Sequence, residues 1–407
     1  MKTRLPILFI MITLVIDAMG IGLIMPVMPD LIRELRGTDL ASAALWGGLL
    51  ATSFAVMQFL FSPIIGNLSD RFGRRRVLLV SLFFMTLDYL VMAVAGTIWL
   101  LLAGRIVGGV TAATQSTATA YMADISSAKD KAKNFGLVSA AFGIGFVLGP
   151  LIGGFLSTFG PRAPFYMAAA LAAANFIFGY FILPETVTDA IRRPFEWRRA
   201  NPLGAFKHIG RLPGLRALLT VHFLYSIAFF VYPAIWAYFT RERFGWDGLM
   251  VGYSLAAFGI SMAVVQGGLI RLILPRIGEE RTLLLGLSIN MLSFLGIALI
   301  PVGWIVLALT PITALGAISG PALLAIMSRT AKDNQQGELQ GLLASVGSIG
   351  MILSPILMTQ TFSYFSSDGA PVYFPGAPFF LSMLLIAVCI GIYLSVTGLN
   401  KVKHPLP

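Results

Sequence analysis

Three charged side chains sit where lipid would surround them. Asp17 lies in "ITLVIDAMGIGLIMP", Asp88 in "LDYLVMA" and Arg105 in "GRIVGGVTAA", each inside an apolar run long enough to cross a bilayer. A bare Asp at the centre of such a helix costs on the order of 2.5–3.5 kcal/mol on insertion scales, so each must face a polar cavity or a partner. A carboxyl's proton affinity depends on burial and on nearby guanidinium groups. One whose neighbours change between two conformations therefore picks up a proton on one side and loses it on the other. For Asp88 the alternative is a fixed ion pair with Arg105 that only holds helices together. Asp17, deep among apolar residues, points more firmly to proton carriage. Gln58, Gln115 and Asn290 also fall in spans. Their amides would bond a cargo in a cavity or, equally in keeping with their type, bridge two helices.

Other chemistries lack their residues. No Gly-Lys pair exists to build a phosphate loop, and HExxH, CxxC and Gly-x-Ser-x-Gly are all missing. No metal site, cofactor or enzymatic activity is expected, so pumping would have to draw on an ion gradient. The single cysteine, Cys389, cannot form an intrachain disulfide.

Two glycine patterns concern movement. The loop "GNLSDRFGRRR" runs from Gly66 to Arg76. A tight reversal needs glycines, here Gly66 and Gly73, and arginines hold such a loop at a cytoplasmic surface. Topology explains the arginines but not Asp70 among them. Further on, Gly145, Gly149 and Gly153 recur every four residues around Pro150, lining one helix face. Small residues permit close helix approach and Pro bends a span. Plain packing, unconnected with transport, remains the other account of that stripe.

The elements that must position these residues are membrane helices. The chain has 407 residues, 57% hydrophobic and only 12% charged, too little charge to cover a soluble surface. Apolar runs fall at 5–29, 43–66, 77–96, 98–122, 135–157, 165–183, 216–240, 249–272, 282–301, 303–327, 338–362 and 376–398. An all-α membrane protein of about twelve spans follows, as two pseudo-symmetric six-helix bundles, 1–183 and 216–407, joined by a cytoplasmic linker, 184–215. The linker stretch "FEWRRANPLGAFKHI" is expected to lie as an amphipathic helix on the anionic membrane face. Of 29 Lys and Arg, 23 fall on one set of alternate loops and ends, which places both termini in the cytoplasm. The net charge of +11 is thus a topology signal and implies no nucleic acid. The N-terminal apolar stretch carries Asp17 and no small-x-small site, so it is expected to be a retained first span. The halves repeat: "GLVSAAFGIGFVLGP" (136–150) matches "GLLASVGSIGMILSP" (341–355), and "GNLSDRFGRRRV" matches "RLILPRIGEERT", both at an offset of 205 residues. Parallel halves of this kind bind cargo at their interface near the bilayer midplane.

Several of these segments resemble one family. "GNLSDRFGRRR" is similar to the G-x-x-x-D-R-x-G-R-[RK] signature between spans two and three of the major facilitator superfamily. "GRIVGGVTAA" resembles its R-x-x-x-G motif of span four, and "GFVLGPLIGG" the G-x-x-x-G-P-x-x-G-G antiporter motif, which adds Gly154 to the stripe. "LVIDAMGIGLIMPVMPDLIRE" looks much like the first span of tetracycline/proton antiporters, and "LDYLVMA", "ERFGWDGLMVGYSLA" and "QQGELQGLLAS" extend the likeness over nearly the whole chain. The resemblance implies that Asp17 and Asp88 are carboxylates needed for transport and that Arg105 takes part in proton transfer. It also implies that Asp70, Arg71, Gly73 and Arg74 form a cytoplasmic gate. There Asp70 would sit at the start of span eleven, near Gly337–Gly341, favoured by the helix dipole. Arg71 or Arg74 would reach Asp124 at the end of span four, making the loop a latch, with a static brace as the alternative.

The expected function is efflux of a hydrophobic, tetracycline-like drug in exchange for protons, by alternating access, from the inner membrane. Export or uptake of a metabolite or siderophore-like compound is the alternative. Partners are the small-molecule substrate, protons and the bilayer, with the chain acting as a monomer. The sequence departs from the best-known tetracycline antiporters at Asn290, where they carry a carboxylate, and at Met262, where some carry histidine.

Overall fold

The computed structural model describes residues 4–403 except 113, 128, 190–191, 198–199, 205, 207–213 and 333–334. Twelve helices in it are long and apolar enough to cross a membrane, and every regular element among the described residues is helical. They group into two compact units, Met1–Pro202 with Trp246–Ala256, and Leu203–Gly245 with Ala257–Pro407.

In the first unit, spans one to three are α1 (Arg4–Ile24), α3 (Leu40–Phe72) and α4 (Arg74–Val94), with a short α2 (Met28–Arg36) between the first two. Span four is α5 (Ile98–Thr111) followed by α6 (Thr114–Ile125), span five is α7 (Lys131–Ser157) and span six is α8 (Ala163–Ile182). The first helix packs most extensively on α7 and also touches α8; α3 and α4 both lie against α5. Phe9, Ile10, Leu14, Leu78, Leu82 and Tyr121 form the buried apolar centre.

The second unit begins with span seven, α9 (Arg216–Phe229) and α10 (Val231–Phe244). Span eight starts as α11 (Gly248–Val264), passes through a π-helical turn at Val265–Leu269 and ends as α12 (Ile270–Ile277). The widened turn contains Gly267 and Gly268, the residue type at which a helix most readily departs from its ladder. Span nine is α13 (Glu279–Leu299). A short α14 (Gly303–Ala308) precedes span ten, which comprises α15 (Thr310–Leu315), a 3-10 turn (Gly316–Ile318) and α16 (Ser319–Thr330). Spans eleven and twelve are α17 (Gln336–Ser366) and α18 (Ala377–Lys403). An aromatic cluster fills this unit, with Tyr232 5.7 Å from Phe294 and Trp236 5.9 Å from Phe379 between ring centroids. Beyond α17, Tyr373 donates to Glu242 at 2.6 Å. Burial first, and Glu242 second, push its phenol up to about 12, so it remains a donor throughout the ordinary pH range.

Local chemistry explains most boundaries. Pro26 cannot continue a helix and disfavours helical backbone before it, so α1 ends at Ile24 instead of running to residue 29. Asp39 caps α3 by accepting from the Ser42 N–H at 3.1 Å, and Thr97 does the same for Leu100 at 3.3 Å. Large apolar side chains such as Ile21, Val80, Phe181 and Leu292 remain exposed on the protein, as a lipid-facing surface requires.

Four sequence expectations are corrected. Gly66 takes no part in the reversal: α3 runs on to Phe72, and Gly66 is an interior helix position with open space where a Cβ would stand. Span four is interrupted after Thr111, in a stretch without the regular apolar pattern that sustains a helix. Span ten begins at Thr310, because the chain breaks at Leu309 ahead of Pro311. The described linker residues 192–197, 200–204 and 206 form irregular chain and turns, 3-10 helical at Gly204 and Phe206, with no α-helix. Pro194 precedes the expected amphipathic helix and Pro202 lies within it, and each interrupts a helical ladder; the remainder of that expected helix lies outside the described residues.

Candidate functional site

Asp88, buried on α4, is paired with Arg105 of α5 through its Oδ2 and the Arg105 Nη2. Glycines make the niche. A Cβ on Gly108 would collide with the Asp88 carboxylate, and one on Gly104 would press on Oδ1 and Val91. Gly109 faces the other way, onto the Phe54 backbone of α3, and the Arg105 guanidinium lies 4.7 Å from the centre of the Phe54 ring. The motif around Arg105 thus brings three helices together on one ion pair. Its second atoms, Asp88 Oδ1 and Arg105 Nε, have no hydrogen-bond partner.

Asp17 is different. It is half-buried on α1, and among the described residues no hydrogen bond or ion pair engages its carboxylate. The stripe read from span five faces this helix: Gly145 lies on Val15, Ala18 and Met19, Gly149 on Met19 and Gly22, and Gly153 on Leu23. All three would overlap α1 if they carried a side chain. Pro150 packs its ring on Gly22. Gly154 points elsewhere, onto Gly248 and Gly252 in the segment of span eight that groups with this unit.

Between the two carboxylates stands Tyr89, which no sequence motif marks. Its phenol occupies the notch left by Gly20, one turn from Asp17, and lies within Coulombic reach of Asp17, Asp88 and Arg105. The available signal was an aromatic hydroxyl next to an intramembrane acid, in "LDYL".

The polar amides take separate places. Gln58 donates to the Ala112 carbonyl at 3.3 Å, satisfying an acceptor that the break in span four sets free. Gln115 is exposed and, with Ser116, Thr119, Ala120, Ala123 and Phe135, lines a recess of about 490 Å³. Asn290 is buried in the second unit, where its Nδ2 donates to the Gly316 carbonyl at 2.9 Å and to Ser319 at 3.2 Å. It bridges span nine to the 3-10 turn of span ten.

At the charged loop between spans two and three the turn falls on Gly73, whose φ of 108° lies in the region that favours glycine. Of the two candidate arginines, Arg74 reaches Asp124, at 3.2 Å, while its Nη1 also contacts Asp70 and Ser69, both at 2.6 Å. Arg71 is exposed and lies over the Phe72 ring. A third carboxylate, unforeseen from sequence, completes the arrangement. Glu185, just past span six, accepts from the backbone N–H of Arg74 at 2.8 Å, Thr186 at 3.0 Å and Val187 at 3.1 Å. It thereby caps α4, and its carboxylate fills the space that a Gly73 side chain would need. Thr186 donates to Asp124 at 3.1 Å and Tyr121 to the Pro184 carbonyl at 2.9 Å. Asn67 donates to the Glu196 carbonyl at 2.8 Å, and the Arg193 N–H to that of Asp70 at 3.3 Å. The start of the linker is bound to the loop.

Glu185→Gln keeps the shape but weakens three charge-assisted bonds. It should free the loop, raising the labelling rate of a cysteine introduced at exposed Arg71 by about threefold or more, as an exposed cap is worth about 1 kcal/mol. An unchanged rate would show that Glu185 does not restrain the turn.

The second unit repeats the loop with opposite charges. Gly278, 205 residues after Gly73, again has a positive φ, 79°. Glu279 replaces Arg74 and Arg329 replaces Asp124 at that same offset, and they pair at 2.9 Å.

Twelve spans, an internal repeat, intramembrane charges and a charged loop between spans two and three define the class of secondary transporters. The chain belongs to the Major Facilitator Superfamily, whose family model matches residues 10–355. It is 40% identical to the class C tetracycline resistance protein of Escherichia coli over 363 residues, covering 89% of this chain and 91% of that protein. With the class B protein of Escherichia coli it shares 37% over 350 residues, 86% of each. Among solved structures, the human organic anion transporter MFSD10 matches with a TM-score of 0.69 at 25% identity, covering 96% of this chain and 99% of that one. The nucleoside transporter NupG has the same fold, with a TM-score of 0.74 at 14% identity, covering 98% of this chain and 99% of that one. The protein is a multi-pass membrane transporter and not an enzyme.

Proposed function

We propose that this transporter exports a hydrophobic, multi-ring, tetracycline-like compound from the cytoplasm in exchange for protons, by alternating access. Asp17 carries the proton, Asp88 and Arg105 respond to its arrival through Tyr89, and the Gly73 loop is the cytoplasmic latch. One observation carries this more than any other: an acid without an ion-pair partner stands on α1, against the helix whose glycine stripe lets the two backbones meet. Shifts along that contact would change what surrounds the carboxylate without breaking a fixed ion pair. The tetracycline resistance proteins among the relatives support a drug as cargo. Asn290 in place of an acid argues for a cargo recognised through uncharged hydrogen bonds. The 23 basic residues on alternate loops support inner-membrane placement with both ends cytoplasmic.

Proton entry can supply the work. A membrane potential provides about 2.3 kcal/mol per charge per 100 mV, enough for a cargo gradient of nearly two decades per proton. In proteoliposomes with an acidic interior, tetracycline and a panel of neutral multi-ring compounds would be offered outside. At least one should accumulate, by about tenfold for each pH unit imposed if one proton exchanges for one neutral molecule. Accumulation of every panel member at the protein-free level, whatever the pH difference, would end the antiport reading.

A further inference from the structure

The two units share more than a loop. Pro150 and Pro355 lie inside α7 and α17, and the offset of 205 residues extends to the contacts those helices make. In the first unit Gly149 meets Gly22 of α1. In the second, Ser354 donates to the Ile227 carbonyl of α9 at 2.9 Å. Ser354 and Ile227 are the direct repeats of Gly149 and Gly22, so each unit sets its first helix against its fifth in one register. With that register fixed, the residue of α9 in the place of Asp17 is His222.

His222 is half-buried, the Leu343 backbone of α17 lies beside its imidazole, and a Cβ on Gly347 would stand 4.0 Å from Nε2. Of the two ring nitrogens of an imidazole, one keeps its proton in both states while the other gains or loses one. Among the described residues, the helices packed on α9 place no charged side chain in contact with it. On α17 the nearest acid is Glu338, more than a turn before Leu343. On α18, Cys389 donates to the neighbouring Val221 carbonyl and Tyr393 lies a turn further on. On α16, Arg329 is paired with Glu279 at the helix end, and on α10 the charges Arg241, Glu242 and Arg243 are in the last turn. On α9 itself, Arg216 stands at the helix start, and Tyr225 is engaged with Ser319 and Asn290.

We propose that His222 is a second proton-carrying group, the second unit's equivalent of Asp17, and that it takes one proton from water onto its free ring nitrogen during each transport cycle. The proposal rests on the proton-exchange reading above and adds an imidazole to its proton-binding groups. A group of this kind also fits the absence of a carboxylate at Asn290, since the second unit then holds its proton on span seven.

The test uses the full chain in proteoliposomes, with His222→Gln and His222→Asn. With the pH difference held at about one unit while the acidic side is brought from about pH 5.5 to about pH 7.5, the wild-type exchange rate should fall about tenfold, and that of His222→Gln less than about twofold. A wild-type profile in His222→Gln would overturn the proposal. Carbethoxylation of wild-type His222 by diethylpyrocarbonate, followed by mass spectrometry with the chain's two other histidines as references, reads the imidazole without any transport. Reactivity that rises with pH through a midpoint supports the proposal, and reactivity flat with pH, or no reaction from either side of the membrane, overturns it, even if neither variant folds. Absence of proton-driven movement in the wild type would instead defeat the antiport reading, which the carbethoxylation result does not address.

Discussion

Asp17→Asn should abolish proton-driven accumulation, lowering it by about a hundredfold or more, while expression, insertion and thermal unfolding are expected to stay close to wild type. The amide keeps the size of the carboxyl and loses only its ability to ionise. Because no ion pair or hydrogen bond engages Asp17 among the described residues, the substitution leaves no buried charge uncompensated. The intramembrane position would even favour the neutral group, since an uncharged side chain is cheaper at that depth. Loss of transport with intact folding is therefore the signature of a proton carrier. Accumulation in Asp17→Asn at wild-type levels, measured in vesicles with matched protein content, would remove Asp17 from the coupling mechanism.

Arg105→Ala is expected to do the opposite, damaging the fold and the activity together. It strands the Asp88 carboxylate in the niche that Gly104 and Gly108 leave for it, without its partner. Breaking a buried pair from one side costs about 3–5 kcal/mol, so the melting temperature in detergent and the yield should both fall sharply. The double variant Asp88→Asn/Arg105→Gln removes both charges and should recover most of that stability, since two neutral amides can still bond across the same gap. Transport should stay lost in the double variant if the pair responds to the proton at Asp17. Stability regained together with full transport would reduce the pair to a packing device. Comparing the singles with the double thus separates the two roles that the sequence leaves open for Asp88.

Much of this site is legible before any fold is known. Asp17, Asp88 and Arg105 declare themselves because hydrocarbon makes isolated charge expensive, so their presence in apolar runs is a signal by itself. Gly145, Gly149 and Gly153 announce a shared helix face through their spacing of four. That spacing does not say what the face touches. Three residues of the arrangement left weaker traces. Tyr89 joins the charged groups because Gly20, on another helix, leaves room for its hydroxyl. Glu185 caps α4 from a position 111 residues along the chain. Arg74, in preference to Arg71, meets Asp124 because only Arg74 begins the new helix after the Gly73 turn. Gly66 shows the converse error: a glycine near a loop suggested a turn, yet the flanking residues sustain the helix through it.

By itself the sequence determined the membrane class, the number of spans and the repeat, and it set expectations for the side on which the loops lie and for the acids that carry function. Each follows from local quantities, namely hydropathy over about twenty residues, charge on the connecting loops and the cost of a carboxylate in lipid. Only the tertiary structure decided which arginine pairs with which acid, that Asn290 bridges two helices, that span four breaks where Gln58 meets it, and that His222 occupies the place of Asp17. Those depend on the rotation and register of one helix against another, which are set by many small packing contacts spread over distant segments and written in no single motif.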